Sequence, residues 1–441
     1  MKLDGLSLEQ APPISVPFRF FIAAPLFGLF SALLLLYAGA DVLTSRWTPG
    51  ILAVAHGWLL GFFATVMFGA LLQMLPVLAG AVISKPRGLA NLLLPCWLLG
   101  VLFLQGAFMH GDPGLFLPAA LLLGSAVLVF ALFCGAALLR ATSQINSVGG
   151  MKLAILALLI TLALGVMLAL GNAGMIRLLR PLGTDVHAMW GLLGWIGLLV
   201  TAVSWQVVPM FQITAAYPRW MVRLLAPVLF TLLTLRMLLV LLPVWLNWQQ
   251  QTPAAVTLVL DLAISIVLIA FAAATLWLQQ RRKRKVSDTH PKYWQIGCIS
   301  LVVAVFSWWA VQWVSDSYLH EQLKLLCVLI FIAGFVMAIM TAMLYKIVAF
   351  LVWFHLQGIN TKRMMTGQSM IQVPHMKAVI PEKRARIQFR VFCAALASVP
   401  LCVVWPQLYW LAAALWGLHF SLMLVNLSRA AAHYNRVAQV R

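Results

Sequence analysis

Acidic side chains are scarce: ten Asp and Glu stand against thirty Lys and Arg in 441 residues. Charged residues of both signs make up only 9% of the chain and hydrophobic ones 63%, with a mean hydropathy of +0.98. So few charges cannot coat a water-soluble globule of this size, which excludes a soluble enzyme or binding module. Cysteine is sparse as well. Cys96, Cys134, Cys298, Cys327, Cys393 and Cys402 each lie alone in apolar runs, without CxxC or CxxCH. That pattern argues against a disulfide scaffold, a zinc ribbon and covalently attached c-type haem. Among the nine histidines there is no adjacent pair and no HxH. No cleavable leader is expected, because the first apolar run follows a 16-residue polar, Pro-containing head that lacks a basic region and a small-residue cleavage site.

Long apolar runs dominate. A helix crossing a bilayer needs about 20 residues, and twelve such runs are expected, at 17–40, 51–83, 90–109, 114–139, 151–173, 184–212, 220–244, 254–280, 293–314, 322–355, 388–406 and 408–428. The fold class read from this pattern is an all-α polytopic membrane protein, a single membrane domain over 1–441. The polar stretch 356–387 is expected to be a cytoplasmic loop. With twelve spans, both termini and the even-to-odd connections share one face. That face carries 24 of the 30 Lys and Arg, the opposite face carries Arg46, Arg177, Arg180 and Lys324, and Arg236 and Lys346 fall inside spans. The positive-inside rule therefore predicts cytoplasmic N- and C-termini. The basic excess is a topology signal and does not imply nucleic acid; the basic run 281–285 is expected to face anionic lipid.

A repeat runs through the spans. Gly61-Phe62 precedes Gln73-Met74-Leu75-Pro76 in the second, Gly194-Trp195 precedes Gln206-Val207-Val208-Pro209 in the sixth, and Gly334-Phe335 precedes Lys346-Ile347-Val348-Ala349 in the tenth. The Gly-to-polar interval is twelve residues each time, and the three spans are four helices apart. Three pseudo-symmetric four-helix units are the expectation, rather than the two six-helix halves of a major-facilitator transporter.

Ionisable groups inside a bilayer cost about 2.5–3.5 kcal/mol on insertion scales, so each needs a reason. His56 and His187 lie at similar depth near the outer ends of the second and sixth spans. Gly191 and Gly194 fall four and seven residues after His187, on its own helical stripe. An imidazole above a glycine groove suits a flat macrocycle, one nitrogen for the iron and no side chain in the ring plane. The competing reading gives the glycines to close helix packing and each imidazole to a neighbouring carbonyl. His419, deeper in the last span, is a third candidate. His320 reads as interfacial, and His110, His290, His355, His375 and His433 as solvated. Arg236 and Asp261 lie at matching depths on adjacent spans and are expected to pair; the alternative has Arg236 anchoring a haem propionate, with Arg177 and Arg180 at the surface. Lys346 is expected to snorkel toward the cytoplasm, or else to join a polar path with Tyr345, Gln73 and Gln206. Trp245, Trp248, Trp308, Trp309 and Trp313 lie near outer span ends; most of the tryptophans are expected to form an interfacial belt, with packing against a porphyrin the alternative for a few.

Twelve spans, a His near the outer start of the second, another on the sixth and a threefold repeat together resemble the haem-copper oxidase catalytic-subunit superfamily. Within it, Pro17-Phe18-Arg19-Phe20-Phe21, the His56 helix ending Gln73-Met74-Leu75-Pro76, and Trp205-Gln206-Val207-Val208-Pro209-Met210-Phe211 are similar to segments of the NnrS family of haem- and copper-containing membrane proteins linked to nitric oxide stress. The resemblance implies a bacterial inner membrane and a non-covalent haem on His56, with copper a further candidate. His187 falls on the helix that supplies a copper ligand. Oxidase catalysis needs about six intramembrane His, including an adjacent pair and an HxH, and no Tyr stands four residues after His187. A complete oxygen-reducing binuclear site is therefore not expected. The function implied is the handling or sensing of nitric oxide or another diatomic ligand, or electron transfer. The alternatives are a solute or metal transporter without haem and a cofactor-free assembly partner.

Overall fold

The computed structural model describes residues 11–141, 147–177, 182–245, 254–282 and 288–439. It is all-α, with no strand among the described residues and twelve helices long and apolar enough to cross a membrane. In chain order these are α1 (Ser15–Ala38), α2 (Pro49–Val77), α3 (Pro86–His110), α4 (Pro113–Arg140), α5 (Ser147–Asn172), α6 (Gly183–Gln212), α7 (Arg219–Pro243), α8 (Ala254–Gln280), α9 (Thr289–Val311), α10 (Ser317–Met365), α11 (Glu382–Val404) and α12 (Pro406–Ala438). All twelve expected spans are present.

The helix starts follow local chemistry. Proline, which has no N–H to waste, opens α2, α3 and α4. Side-chain oxygens satisfy first-turn donors: the Ile51 N–H donates to Thr48 Oγ1, Gly114 N–H to Asp112 Oδ1, His290 N–H to Asp288 Oδ1 and Leu319 N–H to Asp316 Oδ1. The expected loop 356–387 is partly helical. α10 runs on to Met365 because its buried face continues through Leu356, and the chain then folds back where Asn360 clamps Ile371, donating to its carbonyl at 2.9 Å and accepting from its N–H at 2.8 Å. A short helix, Met376–Val379, precedes α11.

Contacts divide the chain into two compact units. One joins 12–70 to 286–441 and is called here the flanking unit; the other, the middle unit, is 71–285 together with the segment that ends at Ala11. In the flanking unit α1 lies along α12 and the first part of α2, α9 along α10, and α11 along α12. In the middle unit α3 packs on α4, α4 on α5, α5 on α6 and α7, and α7 on α8. Small residues set the close approaches. A Cβ at Gly100 on α3 would stand 2.8 Å from Leu123 Cγ on α4, and one at Gly150 on α5 would stand 2.7 Å from the Ala202 Cβ on α6.

The repeat read from sequence has a conformational counterpart. Three stretches widen into π-helical turns: Gly57–Ala64 in α2, Trp190–Gly197 in α6 and Ile330–Val336 in α10. Each contains its Gly-aromatic pair, with Phe62, Trp195 and Phe335 buried. In each the glycine admits a neighbouring side chain. A Cβ on Gly61 would sit 2.6 Å from Phe27 Cβ, one on Gly194 2.8 Å from Trp190 Cε3, and one on Gly334 would collide with Ser300. Such widened turns break the regular i→i−4 ladder and are frequent at functional sites.

Candidate functional site

His56 is the last residue before the π turn of α2. Its ring is half-buried, and its Nδ1 stands 2.7 Å from the carbonyl oxygen of Leu52, one turn back on the same helix. A carbonyl can only accept, so this contact puts the proton on Nδ1 and leaves the lone pair on Nε2. His187 repeats the arrangement in the middle unit with a partner from another helix. Its Nδ1 is 3.1 Å from the carbonyl oxygen of Thr161 on α5, and the π turn of α6 begins three residues later. Both imidazoles therefore carry the tautomer of a metal-ligating histidine, with one nitrogen anchored and the other basic.

The glycine face expected beside His187 is filled. A Cβ on Gly191 would lie 3.4 Å from Thr161 Cγ2, and one on Gly194 would meet Trp190 and, at 3.2 Å, the Ala157 Cβ. That stripe is where α5 seats, so it does not receive a ring plane. The glycine that makes room for the imidazole is Gly165 on α5, whose Cβ would stand 2.9 Å from His187 Cε1. Sequence reading missed it; the one available signal was its position four residues after Thr161, on the same helical stripe.

His419 is fully buried within the flanking unit. Its ring lies 5.7, 5.6 and 5.3 Å from those of Phe392, Trp416 and Phe420, and its Nε2 is 3.5 Å from Thr341 Oγ1. Trp58, two residues after His56, stacks edge-on against Trp416 at 4.7 Å. The surroundings of His419 are those of an aromatic core.

Arg236 pairs with Asp261, Nε to Oδ1 at 3.0 Å, which occupies the group otherwise available to a propionate. Arg177 is exposed. Arg180, Trp248 and positions 283–285 of the basic run lie outside the described residues, as does the side chain of Trp245. The Lys346 side chain is 26% exposed, and its ammonium pairs with Asp288, the residue that caps α9. Burial opposes a charge on Asp288, but the ammonium beside it prevails and holds its carboxyl below the usual range. His290, expected to be solvated, is only 3% exposed, because the first turn of α9 is packed inside the bundle. Glu382, the first residue of α11, accepts the Thr289 N–H at 3.0 Å. Asn426, Gln388 and Thr341 complete a set of buried polar groups that sequence reading passed over, since each looked like one polar residue in an apolar helix.

All six cysteines are free thiols. Among the described residues no three His, Cys, Asp or Glu side chains converge as a metal-binding group. No family profile and no curated protein matches the chain.

Proposed function

We propose that this chain is a haem-binding membrane protein in which His56 Nε2 serves as an axial ligand. His187 is a second, separate ligation candidate, for haem or copper. One observation carries this reading: both imidazoles have Nδ1 fixed on a backbone carbonyl, His56 directly before a π turn and His187 three residues before one, so that Nε2 holds the lone pair. The imidazoles fit the axial role. The Gly191 and Gly194 face does not fit a ring plane, and none is assigned to it.

The chain's own residues do the positioning. The Leu52 and Thr161 carbonyls fix the ring orientation and raise the basicity of the opposite nitrogens. The rings of Trp58, Trp416 and Phe420 exclude water from the helix segment that follows His56. A haem held by one imidazole supplies an iron with an open position, suited to nitric oxide or another diatomic ligand, or to electron transfer. The membrane proposed is a bacterial inner membrane with both termini cytoplasmic, following the charge asymmetry. Arg281, stacked over the Trp277 ring at 4.5 Å, and the basic residues after it are proposed to face anionic lipid.

The test is the absorption spectrum of the detergent-purified protein from haem-replete cells, with pyridine haemochrome quantitation. A Soret band in the wild type that disappears in His56→Ala supports the reading. A colourless wild-type protein overturns it and leaves the cofactor-free transporter or assembly partner.

A further inference from the structure

In the middle unit one ion pair sits where the fold does not cover it. α7 and α8 have 25 and 27 residues, about 38 and 40 Å at 1.5 Å per residue, so each passes a hydrocarbon layer of about 30 Å by only about 5 Å at either end. Asp261 lies seven residues from the start of α8 and Arg236 seven from the end of α7, about 10 Å along each helix and therefore inside that layer. Their side chains share one bond, Arg236 Nε donating to Asp261 Oδ1 at 3.0 Å. A guanidinium has five N–H donors and a carboxylate two oxygens. The Nη donors and Oδ2 have no protein partner among the described residues, and 23% of the Arg236 side chain and 21% of the Asp261 side chain are exposed.

The two helices that carry this pair are the least covered of the twelve. In their most apolar stretches 28% of the residues of α7 and 17% of those of α8 are buried. α8 is seated at its far end, where Gln279 donates to Gln212 of α6 at 2.7 Å and Thr275 meets the Tyr217 hydroxyl at 2.8 Å. No residue of α8 before Ile264 is buried. Leu258, Leu262 and Ile266, on successive turns beside Asp261, form an exposed stripe. Acyl chains cover such a stripe as well as protein does, so it identifies no occupant. They offer no hydrogen-bond partner to a guanidinium or a carboxylate, and unmet polar groups are costly in hydrocarbon.

We propose that the halves of α7 and α8 around Arg236 and Asp261 form a homodimer contact, in which a second copy of this chain covers the pair across a twofold axis. The Nη donors of each Arg236 then face Oδ2 of Asp261 in the other copy, and the two pairs close into a ring of four alternating charges. The charge pattern favours a second copy over another occupant. A twofold contact lays the same patch on itself, so a patch with a single charge would meet its like, whereas an Arg beside an Asp is its own complement. Association in a bilayer depends on such polar contacts and on packing, because apolar side chains gain little by leaving lipid. The contact involves no haem, so a colourless protein leaves it standing.

The experiment co-expresses full-length chains bearing two different affinity tags and measures how much of one is captured through the other. Wild-type chains are expected to capture each other. So are two chains that both carry Arg236→Asp with Asp261→Arg, an exchange that keeps a pair within each chain. Wild-type and exchanged chains together are expected to give mixed dimers about tenfold below the random share, because like charges then meet across the axis. A pair that acts only within its own chain does not produce this sorting. Independently, Leu258→Cys or Leu262→Cys in a cysteine-free background is expected to oxidise to a disulfide-linked dimer with copper phenanthroline about tenfold faster than Leu121→Cys, an exposed position at similar depth on α4. A wild-type chain that is monomeric in both measurements overturns the contact, as do mixed dimers at the random share and Leu121→Cys linking as fast as the α8 positions. If the exchanged chain does not fold, the cysteine variants, which keep both charges, decide alone.

Discussion

The Arg236–Asp261 pair shows how a residue pair satisfies the membrane's constraint. Each group alone would be a charge in an apolar setting, and at 3.0 Å each neutralises the other. Arg236→Ala and Asp261→Ala are each expected to lower the melting temperature in detergent by about 5 °C, consistent with a loss of about 2 kcal/mol, and the double variant to recover part of it. If Arg236→Ala kept its stability and lost haem instead, the pair would give way to a propionate anchor. Asp288 leads to a pH prediction. Its folded-state pKa lies below the unfolded value, so its contribution with Lys346 is complete above about pH 4, the unfolded carboxyl range, and is lost as pH falls through the folded value. Thermal melts between pH 7 and pH 3 should show this acid loss in the wild type, and Lys346→Met should flatten it.

At the scale of the element, the π turns explain why the repeat has the residues it has. A turn one residue wider pushes a bulge toward the neighbouring helix, and only glycine leaves space there for Phe27 of α1 or Ser300 of α9, and in α6 for Trp190 of the same turn beside Ala157 of α5. Gly334→Ala is therefore expected to cost about 1–3 kcal/mol by overpacking. Chemical denaturation should show it, and Ser300→Gly in the same chain should restore most of the loss. Gly135, where an added Cβ meets nothing, is the control: Gly135→Ala should be neutral or stabilising by up to about 1 kcal/mol, the helix-propensity difference. Equal losses at both sites would remove the packing account. The same three elements mark the limit of sequence reading. The Gly-aromatic spacing was visible, but the i→i+5 bonding was not, because backbone bonding partners leave no side-chain signature. The glycine stripe beside His187 was legible as a face, whereas the occupant of that face, α5, came from elsewhere in the chain.

For the whole molecule the charge distribution makes the most direct prediction. With 24 basic residues on one face, single cysteines introduced at Gln368 and at Gln439 in a cysteine-free background should react with an impermeant thiol reagent only after the inner membrane is opened. A cysteine at Asp112 should react in intact cells. The reverse pattern would invert the topology. Compactness, by contrast, follows no simple sequence rule. The chain divides so that residues 12–70 belong with its last third, and the clamp of His355 illustrates the bond type that makes this so: its Nε2 stands 3.2 Å from the carbonyl oxygen of Pro12, more than three hundred positions away in the chain.

What the sequence determined by itself was the number of spans, their approximate limits and the Arg236–Asp261 pair. Each of these depends on hydropathy or depth, quantities that add along a chain without knowledge of its neighbours. What only the tertiary structure decided was which polar groups meet. Lys346 found Asp288, His187 found Thr161 and Gly165, and Asn426 found Tyr345 and Gln388, all across helix interfaces. In a bilayer nearly every helix is apolar on all sides, so the sequence does not say which face turns inward. That choice is made by packing, and the buried polar chemistry follows from it.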